Sequence, residues 1–288
     1  MSRDTPSSNA GGGKAPSFRE ALKHRLRRLF PRRAVAILRL LKPGPLTYSR
    51  PCRSWEEALR KAGSYANPLL LEEEYKAARA VKEGRAAYAL FGIPRTRLAF
   101  RWPLLASLMA VAGWRDAWLG RPLHILDFGG GLGLVYEQHR RFLDTLPKLL
   151  WSVVEQPHFV RCGNAEFATD RLRFFETIDE ARSRGDFDAA LFVSSLGYLE
   201  NPHTLLEELL ETGVPYLVLI AMQFTGNEED FICVQHMRAP YVTADVPICF
   251  ISRPKLLALL DKHGYEMFAD LGTGYFFRKR SGMSAVTN

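Results

Sequence analysis

A glycine-rich turn at residues 127–133 constrains the fold of this chain more than any other segment. From residue 124 the sequence reads HILDFGGGLG, an apolar run that ends in an acid and continues with glycines at alternate positions. Glycines let the backbone turn sharply and approach a ligand closely, and a helix that starts there offers unpaired N–H groups. We therefore predict a buried strand at 124–128, a ligand-binding turn, and a helix over 133–146.

The spacing of these glycines argues against a dinucleotide-binding loop. That loop needs the pattern G-x-G-x-x-G, and in the two possible frames the third position holds Leu134 or Tyr136 instead of glycine. A nicotinamide-dependent oxidoreductase remains an alternative only if the loop tolerates the missing glycine, and a purely structural turn is a further alternative. The pattern present is D-x-G-x-G-x-G, made by Asp127, Gly129, Gly131 and Gly133.

An acid also ends the next predicted strand. The apolar run 151–155 finishes at Glu155, which lies 22 positions after Gly133. One strand–helix–strand step brings this acid beside the glycine turn, at the carboxyl edge of a parallel sheet, where ligands bind. A carboxylate there can accept hydrogen bonds from both hydroxyls of a ribose. We predict this role for Glu155; the alternative is a solvated charge at a strand end.

A third strand reaches the same edge. The buried run 189–194 is followed by a turn and a helix that starts near Pro202. It predicts that Ser194 and Ser195 line the ligand site. The alternative is that the two serines only end the strand and begin the turn.

Strands and helices alternate from residue 121 onward. Short apolar runs between helices are typical of a parallel sheet covered on both faces. Only four residues separate the last two strands, so we expect an antiparallel hairpin. The fold class predicted is α/β, a Rossmann-like seven-stranded, mostly parallel sheet with helices on both faces, a terminal antiparallel hairpin and an N-terminal helical segment. The strands are predicted at 124–128, 151–155, 171–175, 189–194, 216–221, 265–269 and 274–278, and the further helices at 157–167, 201–212 and 252–263.

These segments together resemble the Rossmann-like (class I) S-adenosylmethionine-dependent methyltransferases. The glycine turn resembles the first motif of that superfamily, and residues 187–202 resemble the fourth, which lines the methionine part of the cofactor. The resemblance implies S-adenosyl-L-methionine as the cofactor. It also implies a set of cofactor-binding residues, namely Asp127, Gly129, Gly131, Gly133, Glu155, Ser194 and Ser195.

Within that superfamily the chain is similar to a largely uncharacterised group of bacterial methyltransferases, often encoded near surface-polysaccharide biosynthesis genes. The similarity covers about residues 54–265 and does not include the basic N-terminal segment. It supplies no substrate by itself. The matching segments are 54–58 with Tyr65, the glycine turn, 154–157, 194–202, and 234–235 with Tyr241 and Pro247.

The resemblance implies an S-adenosylmethionine-dependent methyltransferase, and we expect O-methylation of a small-molecule or glycan-type acceptor. A hydroxyl acceptor can use a general base, and His236 is the candidate, because an imidazole side chain ordinarily titrates near neutral pH. Asp245 could orient it, although a lone histidine is more often a surface residue. Other candidates on the acceptor side are Gln223 and the predicted substrate-binding residues Tyr198, Gln235 and Tyr241. The alternative is a non-catalytic S-adenosylmethionine-binding partner or regulatory protein.

The excess of positive over negative charge lies in the first 50 residues of the chain. The net charge is +8, yet residues 1–50 alone hold 12 lysines and arginines against two acids. The rest of the chain is therefore close to neutral, which excludes a broad nucleic-acid-binding face. Residues 17–50 predict a basic amphipathic arm that lies on an anionic membrane surface. The alternatives are a solvated arm, a helix packed on the body or on a second subunit, or a transit peptide.

Composition and spacing set the remaining expectations. Four scattered cysteines and seven histidines without metal-ligand spacing predict reduced thiols and no metal site. No apolar run is long enough to span a bilayer and no secretory signal is present, so we expect a cytoplasmic protein with peripheral contact at the inner membrane surface as an option. The organisation predicted is a disordered tail at 1–16, the arm at 17–50, a helical cap segment at 51–119, the cofactor-binding domain at 120–282 and a tail at 283–288.

Overall fold

The computed structural model describes residues 45–64 and 66–280. The predicted N-terminal tail, the arm up to residue 44, Tyr65 and the predicted C-terminal tail lie outside the described residues. Within the described part of the chain, no helix is long and apolar enough to cross a membrane.

A seven-stranded sheet forms the centre of the fold, in the order β12-β13-β8-β7-β4-β5-β6. Its inner pairs are parallel, and only β13 runs antiparallel to its neighbours β8 and β12. The predicted Rossmann-like α/β fold and the terminal antiparallel hairpin are confirmed. The strands are β4 (Leu123–Phe128), β5 (Leu149–Val154), β6 (Leu172–Phe175), β7 (Ala189–Val193), β8 (Tyr216–Ile220), β12 (Tyr265–Asp270) and β13 (Gly274–Lys279).

Both faces of this sheet are covered, because its strands carry buried apolar side chains on both sides. Along β4, Ile125 packs into one hydrophobic cluster and Leu126 into the other, as the alternation of side chains in a strand requires. Each cluster also contains residues of the helices on its side of the sheet. These helices are α3 (Trp102–Trp114), α4 (Leu134–Leu143), α5 (Pro157–Glu166), α6 (Ile178–Arg182), α7 (Pro202–Glu211) and α8 (Arg253–Lys262).

A second sheet of four strands, absent from the sequence prediction, lies outside the central sheet. It has the order β1-β10-β11-β9 and consists of β1 (Leu46–Tyr48), β9 (Phe224–Thr225), β10 (Phe231–Met237) and β11 (Ala244–Ser252). Strand β1 pairs with β10 in antiparallel register, Thr47 opposite His236. The end of the segment predicted as a helical arm up to residue 50 is therefore a strand, because its backbone completes this sheet.

The segment before the central sheet is mainly helical, as expected, with one difference. Helices α1 (Trp55–Ala62) and α2 (Pro68–Lys82) are capped by Ser54 and Asn67, whose side chains accept backbone N–H groups of the first turn. The chain then forms a short hairpin, β2 (Tyr88–Leu90) and β3 (Ile93–Arg95), inside the segment predicted to be a helical cap. Gly84 and the two-residue turn at residues 91–92 allow this reversal.

Candidate ligand-binding site

A cavity of about 850 Å³ opens at the carboxyl edge of the central sheet. This size is within the range of small-molecule sites. Its lining has two parts. The glycine-loop wall comprises residues 128–131, 154–157 and 176–179, and the second-sheet wall comprises Leu46, Leu70, Leu90, Phe91, Gln223, Gln235, Met237, Tyr241 and Val242.

The glycine turn has the backbone geometry that its sequence predicts. Gly129 and Gly131 have φ angles of 69° and 57°, in the left-handed region that favours glycine. A β-carbon at Gly129 would overlap the side chain of Ser195, and one at Gly131 would overlap the carboxylate of Glu74. These two glycines therefore let the turn pack closely against Ser195 and Glu74, which a larger residue at either position would prevent.

Gly133 packs against the sheet. It stands at the N-terminus of α4 with φ 79°, and a β-carbon there would lie 2.9 Å from Leu172 Cδ2 of β6. Gly133 does not line the cavity. It allows the helix to start close to the sheet, and its part in cofactor binding stays a prediction.

Glu155 lies beside the glycine turn, as predicted. Its Oε1 accepts a hydrogen bond from the Gly131 N–H at 3.3 Å, and its Oε2 accepts one from the Gln156 N–H at 2.8 Å. Burial raises the pKa of this carboxyl, and the two backbone N–H groups partly oppose that shift. The side chain lines the cavity, so it is both held in place and open to a ligand.

Asp127 is buried beneath the turn and does not line the cavity. Its Oδ2 accepts a hydrogen bond from Trp151 Nε1 at 3.1 Å, and a β-carbon at Gly130 would lie 2.5 Å from the same oxygen. Burial raises the pKa of Asp127 to about 7. Asp127 thus supports the loop from below, and its part in cofactor binding stays a prediction.

Glu74 of α2 is a site residue that the sequence did not reveal. Its Oε1 accepts a hydrogen bond from the Leu132 N–H at 2.7 Å, so the carboxylate lies against the glycine turn from the opposite side to the sheet. Burial, with smaller contributions from Glu155 and Asp127, raises its pKa to about 7. In the sequence, Glu74 is only one of several acids in the predicted cap segment, and no spacing distinguishes it from the others.

Three carboxyl groups thus surround one turn of backbone. Asp127 lies below it, Glu74 above it, and Glu155 beside it, and the last two line the cavity. Arg101, at the N-terminus of α3, also lines the cavity, and burial lowers its pKa while the charge of Asp127 opposes that shift. The glycine-loop wall is therefore net acidic, with one cation nearby.

The two predicted serines follow β7 at the same edge. Ser194 has φ 59°, and its hydroxyl donates to the Ala221 carbonyl at 3.1 Å; Ala221, after β8, has φ 55°. Non-glycine residues in this region of φ are strained, and such residues cluster at functional sites. Ser195 Oγ is buried at the cavity without a hydrogen-bond partner among the described residues. Both serines line the cavity, as predicted.

The predicted acceptor-side residues Tyr198, Gln235 and Tyr241 also line the cavity. The Tyr198 hydroxyl donates to Gln235 Oε1 at 2.7 Å, and Gln235 Nε2 donates to the Tyr48 hydroxyl at 3.4 Å. Burial raises the pKa of Tyr198, so its hydroxyl keeps its proton at neutral pH. Tyr241 packs edge-on against Phe91, with ring centroids 6.1 Å apart.

His236 is the one candidate that the structure places away from these groups. It lies between Gln235 and Met237 on β10, and because side chains alternate along a strand, the cavity receives those two and not His236. Its Nδ1 lies 3.1 Å from Oδ1 of Asp245, its cross-strand neighbour. The expected pair exists, but on the opposite face of the sheet, so the structure does not bring His236 to the cavity.

The sequence matches no protein-family model and no curated protein. Solved structures of similar shape include an amino pentose methyltransferase from Micromonospora echinaspora with bound S-adenosylmethionine (16% identity, TM-score 0.42, covering 71% of this chain and 96% of that one). They also include a sugar N-methyltransferase from Streptoalloteichus (13% identity, TM-score 0.44, covering 64% of this chain and 89% of that one). A third is a 1,6-didemethyltoxoflavin N1-methyltransferase from Burkholderia thailandensis with bound 1,6-didemethyltoxoflavin and S-adenosylhomocysteine (19% identity, TM-score 0.38, covering 81% of this chain and 93% of that one). Because these identities and TM-scores are low, the fold assignment rests on the strand order of this chain.

Proposed function

We propose that this chain is an S-adenosylmethionine-dependent methyltransferase that methylates a hydroxyl group of a small-molecule acceptor. The observation that carries the proposal is the hydrogen bond from the Gly131 N–H to Glu155 Oε1 at 3.3 Å. It makes the glycine turn and the strand-end acid one continuous surface, with a carboxylate positioned for the two hydroxyls of a ribose.

The charge of the glycine-loop wall favours an adenosyl amino acid over a dinucleotide. Glu74 and Glu155 at the turn, with Asp127 beneath it, would attract a sulfonium and an ammonium group. The same carboxylates would repel the pyrophosphate of a nicotinamide dinucleotide, since like charges in a partly buried site interact strongly. Arg101 at the cavity is suited to the ligand's own carboxylate.

The shape of the wall fits the same ligand. The turn at Gly129 and Gly131 lies close against Ser195 and Glu74, and Ser195 Oγ is a buried hydroxyl that a ligand could satisfy. When bound, S-adenosylmethionine supplies a methyl group already activated by the sulfonium, so the protein has mainly to align the acceptor. Glu155 would hold the ribose, Arg101 the carboxylate, and the second-sheet wall the acceptor.

Calorimetry on the full chain tests this function. S-adenosylhomocysteine should bind with a Kd on the order of 10 µM, and NADH at least about 100-fold more weakly, because the acidic wall rejects its pyrophosphate. Glu155→Gln should weaken S-adenosylhomocysteine about tenfold to 100-fold, since an amide oxygen replaces the charged partner of the ribose hydroxyls. Equal affinity for both ligands, or an unchanged Kd for Glu155→Gln, would contradict the proposal.

A non-catalytic S-adenosylmethionine-binding protein is the second candidate. It is favoured by the position of His236, since no histidine of residues 45–64 and 66–280 lines the cavity. Tyr198, whose pKa is raised, does not replace it as a base. Release of S-adenosylhomocysteine during incubation with hydroxylated aromatic and sugar acceptors separates the two: turnover supports the enzyme, and tight cofactor binding without turnover on any of them supports the binding protein.

A further inference from the structure

The second-sheet wall is apolar where the glycine-loop wall is charged. Leu70 of α2 is 8% exposed, and Met237 and Val242 pack against the small cluster that contains it. Leu46 of β1 and Leu90 of the hairpin extend the same surface. A ligand that fills this part of the cavity therefore meets mainly aliphatic side chains.

The hairpin at the edge of this wall carries a large apolar residue where its backbone disfavours one. The turn between β2 and β3 consists of Phe91 and Gly92, with φ angles of 50° and 71°. Two-residue turns with both φ angles positive strongly prefer Asn-Gly, and a bulky residue there is strained. Phe91 is nevertheless 49% exposed, lines the cavity and packs edge-on against Tyr241.

This combination points to a ligand contact. Strain of this kind is retained where it serves a function. An exposed ring held at the rim of a cavity, next to a second ring, offers a surface on which a flat molecule can stack. The structure of the hairpin itself gives no other reason for phenylalanine at this position.

Polar groups on this side of the cavity are few and mostly engaged. Tyr198, Gln235 and Tyr48 form a chain of hydrogen bonds among themselves. Gln223 is the exception: its Oε1 is buried at the cavity and has no hydrogen-bond partner among the described residues. A buried acceptor without a partner costs stability unless a ligand satisfies it.

We propose that the second-sheet wall binds a flat, largely apolar ring compound that carries one hydrogen-bond donor, and that Gln223 Oε1 accepts this hydrogen bond. The ring lies against Met237 and Val242 with Phe91 and Tyr241 at its edge. A free sugar fits poorly, because most of its hydroxyls would lose water without gaining partners on this wall. The binding of this compound to the wall is independent of the proposed function. Only its role as the methyl acceptor rests on that function.

The experiment is a calorimetric titration of the full chain, with and without saturating S-adenosylhomocysteine, using three probes. These are 7-hydroxycoumarin, which has the ring and the donor, coumarin, which has the ring alone, and methyl α-D-glucopyranoside, which has donors without an apolar ring. We expect 7-hydroxycoumarin to bind about tenfold more tightly than coumarin, the effect of one buried hydrogen bond. The glucoside should show no saturable binding.

Variants locate the binding. Gln223→Leu, similar in size, should bring the affinities of the two coumarins within about twofold of each other. Met237→Lys should abolish binding of both by placing a charge on the apolar wall. His236→Ala is the matched control, since its side chain lies on the other face of the same strand, and it should leave both affinities unchanged.

Three outcomes would overturn the proposal: glucoside binding as tight as that of 7-hydroxycoumarin, no binding of either coumarin, or a preference for the hydroxyl that survives Gln223→Leu. The S-adenosylhomocysteine Kd is measured on every variant and separates these results from failure of the proposed function. If that Kd is normal while the coumarins do not bind, only this inference fails. If the coumarins bind as expected and S-adenosylhomocysteine does not, the proposed function fails and this inference stands.

Discussion

The two walls of the cavity differ in how the chain builds them. The glycine-loop wall is made by the ends of parallel strands that are adjacent in sequence steps of strand, helix and strand. The second-sheet wall brings together β1, β10 and a hairpin near residue 91, segments separated by up to about 190 positions. The first wall is charged and specific in sequence; the second is apolar and has no motif. We infer that the glycine-loop wall binds the cofactor, which many proteins share, and that the second-sheet wall binds a ligand particular to this protein.

The largest expected effect falls on the glycine-loop wall. Gly131→Val should weaken S-adenosylhomocysteine at least about 100-fold, because valine at φ 57° is strained and its β-carbon would overlap Glu74. Gly226→Val is the control: nothing lies within 4 Å of a β-carbon there and its φ is not in the left-handed region. Calorimetry checks both, and coumarin binding should survive in each. Loss of coumarin binding in Gly131→Val would break the distinction between the walls.

A second effect concerns Asp127, which lies beneath the glycine turn, and the free energy of unfolding of the chain. The pKa of Asp127 is raised to about 7, so between about pH 4 and 7 the folded chain holds a proton that the unfolded chain has released. The free energy of unfolding therefore falls as pH rises through this window. Asp127→Asn removes this contribution while keeping an acceptor for Trp151, and should stabilise the chain by about 2 kcal/mol at pH 8. Urea unfolding at pH 5 and pH 8 measures it. An equal effect at both values would contradict the assigned pKa.

A third effect separates S-adenosylmethionine from S-adenosylhomocysteine. Only the first carries a sulfonium charge, and Glu74 and Asp127, both with pKa values of about 7, become anionic between pH 6 and 8. The affinity ratio in favour of S-adenosylmethionine should rise about fivefold over this range. Glu74→Gln should reduce that rise. A ratio independent of pH would show that the acidic cluster does not face the sulfonium.

The smallest effect concerns the hairpin of the second-sheet wall. Phe91→Asn gives its turn the preferred Asn-Gly pair and should stabilise the chain by about 1 kcal/mol. It should also weaken 7-hydroxycoumarin several-fold and leave S-adenosylhomocysteine unchanged. Thermal unfolding and calorimetry on the same samples measure the three quantities. A stabilised variant with unchanged coumarin affinity would remove Phe91 from the ligand contact.

The glycine-loop wall could be predicted from the sequence to a larger extent than the second-sheet wall. The seven strands of the central sheet, the terminal hairpin and the positions of Glu155, Ser194 and Ser195 could be predicted, because apolar runs, glycines and strand-end acids encode local structure. Asp127 and Gly133 belong to the D-x-G-x-G-x-G motif, yet neither lines the cavity. A sequence pattern does not distinguish residues that line a site from residues that support it.

The second sheet could not be predicted for a physical reason. Strand β1 is only three residues long and pairs with β10 about 190 positions away, so no local periodicity marks it. Without this pairing, the alternation along β10 could not be assigned to a face, and the side of the sheet on which His236 lies could not be predicted. Glu74 was missed because its partner, the Leu132 N–H, lies 58 residues away.

The most direct test of the central claim is a crystal structure of the full chain with S-adenosylhomocysteine. We expect both ribose hydroxyls within hydrogen-bond distance of the Glu155 carboxylate, the amino acid part against Gly129 and Gly131, and the sulfur facing the second-sheet wall. Clear density for the ligand elsewhere, or a glycine turn still covered by the Glu74 side chain with the ligand excluded, would contradict it.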